Sequence, residues 1–141
     1  TYTDAAGDEK RPVVVHRSSI GAIERVIAFL IEHYAGAFPT WLAPVQVIVL
    51  PIGESHRAYA EKIVAELRLK DIRAEADASD ESLGKRIRSA KVSKVPYLVV
   101  VGDKEVAAET LSLEHRVDGQ LGSKTLAETI ALLTEAIAEK K

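Results

Sequence analysis

The densest charge signal in the sequence is a run of basic residues between positions 85 and 94. Five lysines and arginines fall within ten positions with no acid among them: Lys85, Arg86, Arg88, Lys91 and Lys94. Such a run can contact RNA phosphates beside a loop that presents base-reading groups. It can equally be a solvated helix face, balanced by the four acidic residues between positions 75 and 81. Both interpretations, a phosphate-contacting patch and ordinary surface, stay open at this stage.

A second charged group follows the most apolar run of the chain, residues 97–101. Asp103, Lys104 and Glu105 come soon after that run. A carboxylate fixed there can accept the N1 and N2 hydrogens of guanine, so Glu105 is a candidate for reading an unstacked base. The alternative is a charged turn at the protein surface.

The four histidines do not form a metal-binding pattern. They occupy positions 16, 33, 56 and 115, with no helical i, i+4 pair, and the chain has no cysteine to complete a site. A glycine-rich phosphate loop is also missing, because Gly84 and Lys85 lack the upstream glycine of a P-loop. We therefore expect neither a metal site made only from this chain nor a nucleotide-cofactor domain.

The composition is that of a folded protein of about one domain. The chain has 141 residues, of which 47% are hydrophobic and 28% charged, and its formal net charge is −2. This balance gives no global basic field, so any contact with nucleic acid must be local. The apolar runs are too short to span a membrane, and the lack of cysteine fits a reducing compartment. We expect a cytoplasmic protein without DNA or membrane partners.

Hydrophobic spacing divides the chain at a linker, residues 38–44, that contains two prolines. Before the linker, the β-branched run 13–15 predicts a strand. Apolar residues at spacings of three and four between positions 20 and 34 then predict a helix. The sequence opens without methionine and contains none, so we expect a C-terminal piece of a longer protein.

After the linker the pattern alternates between strands and helices. The expected strands are 45–52, 72–77, 97–101 and 110–116, and the expected helices lie around 60–67, 83–90 and 126–137. This order predicts a three-layer α/β domain with a mixed, mostly parallel sheet, whose fourth strand pairs antiparallel at an edge. Ligands of such sheets bind at the carboxyl ends of the strands, here at Gly53, 78–81 and 102–105.

Several stretches resemble a known family. Residues 11–17 (RPVVVHR) and 21–25 (GAIER) resemble the strand and helix that close the catalytic domain of class II aminoacyl-tRNA synthetases, including the Gly-x-x-Glu-Arg signature of motif 3. Residues 38–47, 95–97 and 102–106 are similar to the bacterial-type threonyl-tRNA synthetase family. The resemblance covers nearly the whole chain.

The resemblance implies two parts. Residues 1–39 correspond to the last strand and the motif 3 helix of the catalytic domain. Residues 40–141 correspond to the anticodon-binding domain, with a five-stranded sheet flanked by helices.

The resemblance also implies roles for two residues of the first part. Arg25, the motif 3 arginine, contacts ATP in that family, which suits a permanently charged planar group. His16 matches the last ligand of a zinc ion held by one cysteine and two histidines. The other ligands would precede Thr1, so ATP and zinc are expected in the full-length enzyme, a homodimer, and neither is expected on this piece.

For the second part, the resemblance implies contacts with the anticodon loop of tRNA(Thr). Threonine anticodons have guanine in the middle and uracil at the end. The loop with Lys104 and Glu105 and the loop around Asp80 are implicated, with Glu105 suited to the guanine and the basic run, including Arg88, suited to phosphates.

Two residues depart from the family pattern. Asp80 stands where relatives commonly have asparagine, and Glu114 stands where some have arginine. Either the uracil is read differently, through Arg116 or Lys94, or the tRNA is bound less tightly.

The function implied is anticodon recognition, with the remaining catalytic domain as a partner. The full-length family member activates threonine with ATP and transfers it to tRNA, whereas this piece alone is expected to be catalytically inactive. The alternative is an α/β module reused as a protein-interaction or accessory domain, without aminoacylation.

Overall fold

The structure is a computed structural model that describes residues 1–18, 20–77 and 79–141. Ser19 lies outside the described residues, as does Ala78 of the loop expected at 78–81. The strands are β1 Tyr2–Thr3, β2 Glu9–Lys10, β3 Val47–Pro51, β4 Ala74–Ala76, β5 Tyr97–Val101, β6 Thr110–His115 and β7 Gly119–Thr125. The helices are α1 Ile23–His33, α2 Arg57–Arg68, α3 Leu83–Val92, α4 Asp103–Ala108 and α5 Leu126–Ala138, with a short 3-10 helix, Glu54–His56, before α2.

Five of these strands form one mixed sheet in the order β4-β3-β5-β6-β7. β3 pairs in parallel with β4 and β5, whereas β6 pairs antiparallel with β5 and β7. Four of the five strands therefore run in one direction. The expected α/β class, with a mixed five-stranded sheet flanked by helices, is confirmed.

The position expected for the fourth strand is wrong, because β7 covers the far side of β6. β7 contains Gly119 and Gly122 and only one large apolar residue, Leu121, so its sequence shows no hydrophobic alternation. The chain turns back directly after β6 and pairs with it over the whole strand. Pairing with β6 rather than hydrophobic periodicity therefore makes this segment a strand.

Hydrophobic side chains cover both faces of the sheet. Val47 and Val49 of β3 pack in one cluster with residues of α2 and α5, whereas Leu50 packs in a second cluster with residues of α3. This follows from the two-residue period of a strand, which sends alternate side chains to opposite faces. The result is a three-layer arrangement in which α2 and α3 begin near the carboxyl ends of β3 and β4.

The strand expected at 13–15 does not form. The three valines are more than 80% exposed, and no described strand lies beside them to pair their backbone groups. A strand needs such a neighbour, which the β-branched composition cannot supply by itself. Instead, the polar start of the chain folds into the hairpin of β1 and β2.

The helix expected at 20–34 is present as α1, but it has no buried residue. Its apolar face is open to solvent, since Ile23 is 59% exposed and Ile27 and Ile31 are each 49% exposed. None of the described helices is long and apolar enough to cross a membrane.

Candidate nucleic-acid interface

The carboxyl ends of β3 and β5 meet side by side because the two strands are parallel neighbours. Ile52, which follows β3, donates its backbone N–H to the Val101 carbonyl of β5 at 2.9 Å. Its side chain lies against Gly102, where a Cβ would be 2.5 Å from the Ile52 Cδ1 atom. A side chain at position 102 would force the Ile52 side chain to move, so glycine suits this close approach of the turn after β3 to α4.

Glu105 lies in the first turn of α4, so the expectation of a charged surface turn is wrong at this place. Its Oε2 atom accepts the backbone N–H of Gly102 at 3.0 Å, which caps the start of the helix. Within the described residues its second oxygen has no hydrogen-bond partner. One carboxylate oxygen is thus held in place by the cap, and the other can accept hydrogens from a ligand. Lys104, beside it, is exposed.

His56 contacts both sides of the gap between the turn after β3 and α4. The Gly53 N–H donates to its Nδ1 atom at 3.1 Å, so the ring proton lies on Nε2, which donates to Asp103 Oδ1 at 2.9 Å. Sequence reasoning weighed His56 only as a metal ligand and missed this role. The only available signal was its position just before an expected helix.

Arg57 neutralises the unusual acid at position 80. Its Nη2 atom donates to Asp80 Oδ1 at 2.9 Å, and its Nε atom lies 2.9 Å from Glu54 Oε2. Because the Asp80 side chain is 98% exposed, this pair is accessible to a ligand. A guanidinium beside a carboxylate offers donors and an acceptor, as the amide of asparagine does.

We call residues 52–57, 79–81 and 102–105 the strand-end surface. It carries five carboxylates and two permanently charged bases: Glu54, Asp80, Glu81, Asp103 and Glu105 against Arg57 and Lys104. Side chains from its first two segments, with Arg86, line a cleft of about 190 Å³. A surface richer in acceptors than in cations suits the N–H groups of base edges better than phosphates.

The basic run does not form one continuous patch. Lys85 pairs with Glu81 at 2.6 Å, and Lys91 pairs with Glu114 at 2.6 Å. In the described part of the chain Arg88 is exposed and has no ion-pair partner. Only Arg88 is therefore an unpaired exposed cation on α3, and the lysines have to exchange their acidic partners before they can bind phosphate.

Arg86 of the same run is buried, so its inclusion among surface residues was wrong. It is 7% exposed and faces the sheet with Ala90, one helical turn later. Its Nη2 atom donates to the Pro51 carbonyl at 2.7 Å, while its Nε atom finds no acceptor among the described residues. Hydrophobic spacing could not reveal this, because an arginine at a core position looks like surface.

Three of the expected anticodon contacts lie at the other end of β5. Arg116 donates to the carbonyls of Phe38 at 3.0 Å and of Lys94, and Lys94 donates to the Ala35 carbonyl. Burial lowers the pKa of Arg116 below its ordinary value. These two cations therefore hold the linker to the α/β domain.

Glu114 is engaged there as well. Its Oε1 atom pairs with Lys91, and its Oε2 atom accepts a hydrogen bond from Gln120 at 2.9 Å. The five residues of β5 separate this group from the strand-end surface by about 16 Å. The seven expected contacts thus form two groups, with Lys104, Glu105 and Asp80 at one end and Arg88 on α3 between the ends.

Arg25 and His16 lie outside the α/β domain and are both exposed. Throughout residues 1–18, 20–77 and 79–141, no three His, Cys, Asp or Glu side chains are grouped closely enough to share a metal ion. A single histidine does not make a zinc site, since structural zinc takes four ligands and catalytic zinc three. The residues present therefore do not fit a zinc ion. Arg25 offers one guanidinium, enough for one contact with a phosphate or an adenine ring.

Known proteins match most of this chain. The model of a family described as "Anticodon binding domain" matches residues 46–136. Over 137 residues the chain is 49% identical to the threonine–tRNA ligase of Clostridium tetani, covering 97% of this chain and 21% of that protein. It is 46% identical to the threonine–tRNA ligase of Acetivibrio thermocellus over 141 residues, which are 100% of this chain and 22% of that protein.

A solved structure shares the fold. It is the crystal structure of the RNA binding domain of threonyl-tRNA synthetase from Cryptosporidium parvum Iowa II, with a TM-score of 0.76 and 30% identity. The match covers 83% of this chain and 30% of that one. The chain spans about a fifth of the length of the curated relatives named above.

Proposed function

Because this chain belongs to the family of anticodon-binding domains, we propose that it recognises the anticodon loop of tRNA(Thr) as the C-terminal part of a threonine–tRNA ligase. The observation that carries the proposal is the strand-end surface. There, Glu105 and Asp80 are held by hydrogen bonds at the carboxyl ends of parallel strands, where ligands of such sheets bind.

Glu105 reads the middle guanine in this proposal. The free oxygen of its carboxylate accepts a base N–H, and adenine cannot present the N1 and N2 hydrogens that guanine does. Because the other oxygen caps α4, the acceptor is fixed before the RNA arrives. A group already ordered loses less conformational entropy on binding, which favours discrimination.

The Arg57–Asp80 pair reads the terminal uracil. Uracil presents one N–H flanked by two carbonyl oxygens, so a carboxylate next to a guanidinium complements its edge. In the family, asparagine commonly provides both kinds of group from one side chain. Here Arg57 supplies the donor and Asp80 the acceptor, so an acid at position 80 is compatible with uracil binding.

Phosphate binding is assigned to α3. Arg88 has no ion-pair partner within the described residues, and Lys85 and Lys91 are exposed enough to exchange theirs. An exposed ion pair such as Lys85–Glu81 contributes about 0–1 kcal/mol, so RNA phosphates can compete with Glu81 for Lys85. Because α3 starts next to residues 79–81, the backbone of a bound loop can follow it.

The remaining roles belong to the full-length protein. We place Arg25 in contact with ATP in a catalytic domain that residues 1–39 complete and that α1 packs against, within a cytoplasmic homodimer. The exposed apolar face of α1 supports this packing. Since this chain offers a single contact for ATP, threonine activation and transfer to tRNA are proposed only for the full-length ligase.

Competition between anticodon stem-loops tests the proposed function. Displacement of a labelled threonine stem-loop from the 141-residue chain is measured with unlabelled loops that each carry one changed base. We expect adenine in the middle position to weaken binding about tenfold or more. A change at the terminal uracil weakens binding too, while one at the first anticodon position, which varies among threonine tRNAs, has little effect. Equal affinity for all loops would support the alternative of an interaction module.

A further inference from the structure

The first residue of α2 and the residue before it contact the two loops to which base reading is assigned. His56 bonds Asp103 at the start of α4, and the next residue, Arg57, bonds Asp80 in the loop that follows β4. The two loops leave different strands and have different sequences. Two adjacent residues, the last of the 3-10 helix and the first of α2, thus connect the guanine-reading and the uracil-reading loops.

His56 is a rigid part of this connection. Its side chain is only 9% exposed, and the bond from Gly53 to Nδ1 fixes the ring and directs the Nε2 hydrogen outward. The side chain of its acceptor, Asp103, is 97% exposed and has no other ion-pair partner among the described residues. A buried donor therefore restrains the surface residue from which Lys104 and Glu105 continue.

Arg57 makes the corresponding contact on the other side. Its side chain is about one-third exposed and bridges two acids, Glu54 in the 3-10 helix and Asp80. The contact between its Nε atom and Glu54 orients the guanidinium, and its Nη2 atom holds Asp80. Without Arg57, Asp80 would lose its only ion-pair partner among the described residues.

We propose that His56 and Arg57 form a recognition brace that sets the places of the two base-reading loops. His56 is a positioning residue that contacts no base, whereas Arg57 both holds Asp80 in place and belongs to the pair assigned to the uracil. The inference rests on the proposed function. Base discrimination depends on the position of acceptors to within a fraction of an ångström, and each loop has to lose its mobility to provide it. The brace removes that mobility in the free protein.

Two variants of Asp103 separate the effect of losing the His56–Asp103 hydrogen bond from the effect of losing a negative charge. Asp103→Ala and Asp103→Asn both remove one negative charge, but only asparagine keeps an oxygen that accepts the His56 Nε2 hydrogen. The measured quantity is the affinity for a stem-loop with guanine in the middle position divided by the affinity for one with adenine there. A change of charge that weakens binding of both stem-loops equally leaves this ratio unchanged. We expect Asp103→Ala to reduce this ratio about threefold to tenfold, as one lost hydrogen bond does, and Asp103→Asn to retain it within about twofold.

Arg57→Ala tests the second contact. Its matched control is Lys62→Ala, which removes the same charge from an exposed position in the same helix. We expect Arg57→Ala to reduce the preference for the terminal uracil about threefold to tenfold. Lys62→Ala is expected to weaken all loops alike and to leave the preference unchanged.

A measurement without RNA makes the test independent of the proposed function. Amide hydrogen exchange at Gly102 and Val106, whose N–H groups donate to Glu105 Oε2 and to the Gly102 carbonyl at 3.0 Å, should be faster in Asp103→Ala than in the wild type and should be restored in Asp103→Asn. If the wild type itself shows no base preference, the proposed function fails. If the wild type shows it and folded Asp103→Ala keeps both that preference and slow exchange, the recognition brace is overturned and the proposed function stands.

Discussion

Glu105 has two roles that use the same carboxylate. It caps α4 through Gly102, and it is the proposed acceptor for the middle guanine. The sequence indicated the second role from the residue type and its place after β5, but it gave no sign of the first. A helix of six residues with a glycine before it is too short to show a hydrophobic period, so the cap became visible only in the structure.

Substitutions of Glu105 separate these roles. Glu105→Gln keeps an oxygen for the Gly102 N–H but turns an amide donor towards guanine, so we expect near-native stability with a loss of guanine preference of about 1–3 kcal/mol. Glu105→Ala is expected to lose the same preference and about 1 kcal/mol of stability. Urea unfolding and stem-loop titration measure the two effects. A guanine preference that survives in Glu105→Gln would remove this residue from the interface.

Arg116 presents the opposite situation, because the sequence associated it with the anticodon and its nitrogens bind carbonyls of the linker and of Lys94. We expect Arg116→Ala to speed hydrogen exchange of the amides of residues 35–38, which lead into the linker, while the base preferences of the chain stay unchanged. The measurements are exchange followed by mass spectrometry and stem-loop competition. A selective loss of uracil preference in a folded variant would return Arg116 to the anticodon site.

At the scale of elements, the sequence predicted the strands and helices whose hydrophobic pattern lies within their own residues. β3 and β5 are short apolar runs between helices, and α2, α3 and α5 have clear apolar stripes, so all five occur where expected. In contrast, β7 depends on its pairing with β6, and α4 depends on the cap between Glu105 and the Gly102 N–H. The strand expected at 13–15 does not form, because its composition favours a strand but no described strand is available to pair with it.

The start of α5 is an element that the sequence specified fully. Thr125 and Glu128 have the three-residue spacing of a capping box, and the structure contains this box, with Glu128 Oε2 accepting the Thr125 N–H at 2.7 Å. The hydrogen bonds from the Thr125 backbone and hydroxyl lower the pKa of Glu128 below its ordinary value. The stability that this carboxylate contributes is therefore present above the ordinary pKa and is lost as pH falls through the lowered one.

Removal of the cap tests this explanation. Thr125→Ala is expected to destabilise the fold by about 1 kcal/mol at neutral pH. It should also raise the pKa of Glu128 towards its ordinary value, because the hydroxyl bond is lost while the backbone bond remains. Urea unfolding and a carboxyl NMR titration measure the two changes. An unchanged titration would show that Thr125 does not bind the carboxylate in solution.

At the scale of the whole molecule, the α/β domain has two functional ends. Lys94 and Arg116 attach the linker near the start of β5, and the strand-end surface lies at the finish of the same strand. The polypeptide that leads to α1 therefore leaves from the end opposite the proposed anticodon site. In the proposed full-length ligase, this arrangement would let the catalytic domain attach through the linker without covering the proposed anticodon site.

The most direct test of the proposed interface is a map of amide chemical shifts as the threonine anticodon stem-loop is added to the isotope-labelled chain. We expect the largest changes on residues 52–57, 79–81 and 102–106, with smaller ones along α3. Amides of α5, which packs on the other face of the sheet from α3, should keep their positions. Changes concentrated in α5 or in the linker, with the amides of the strand-end surface unmoved, would contradict it.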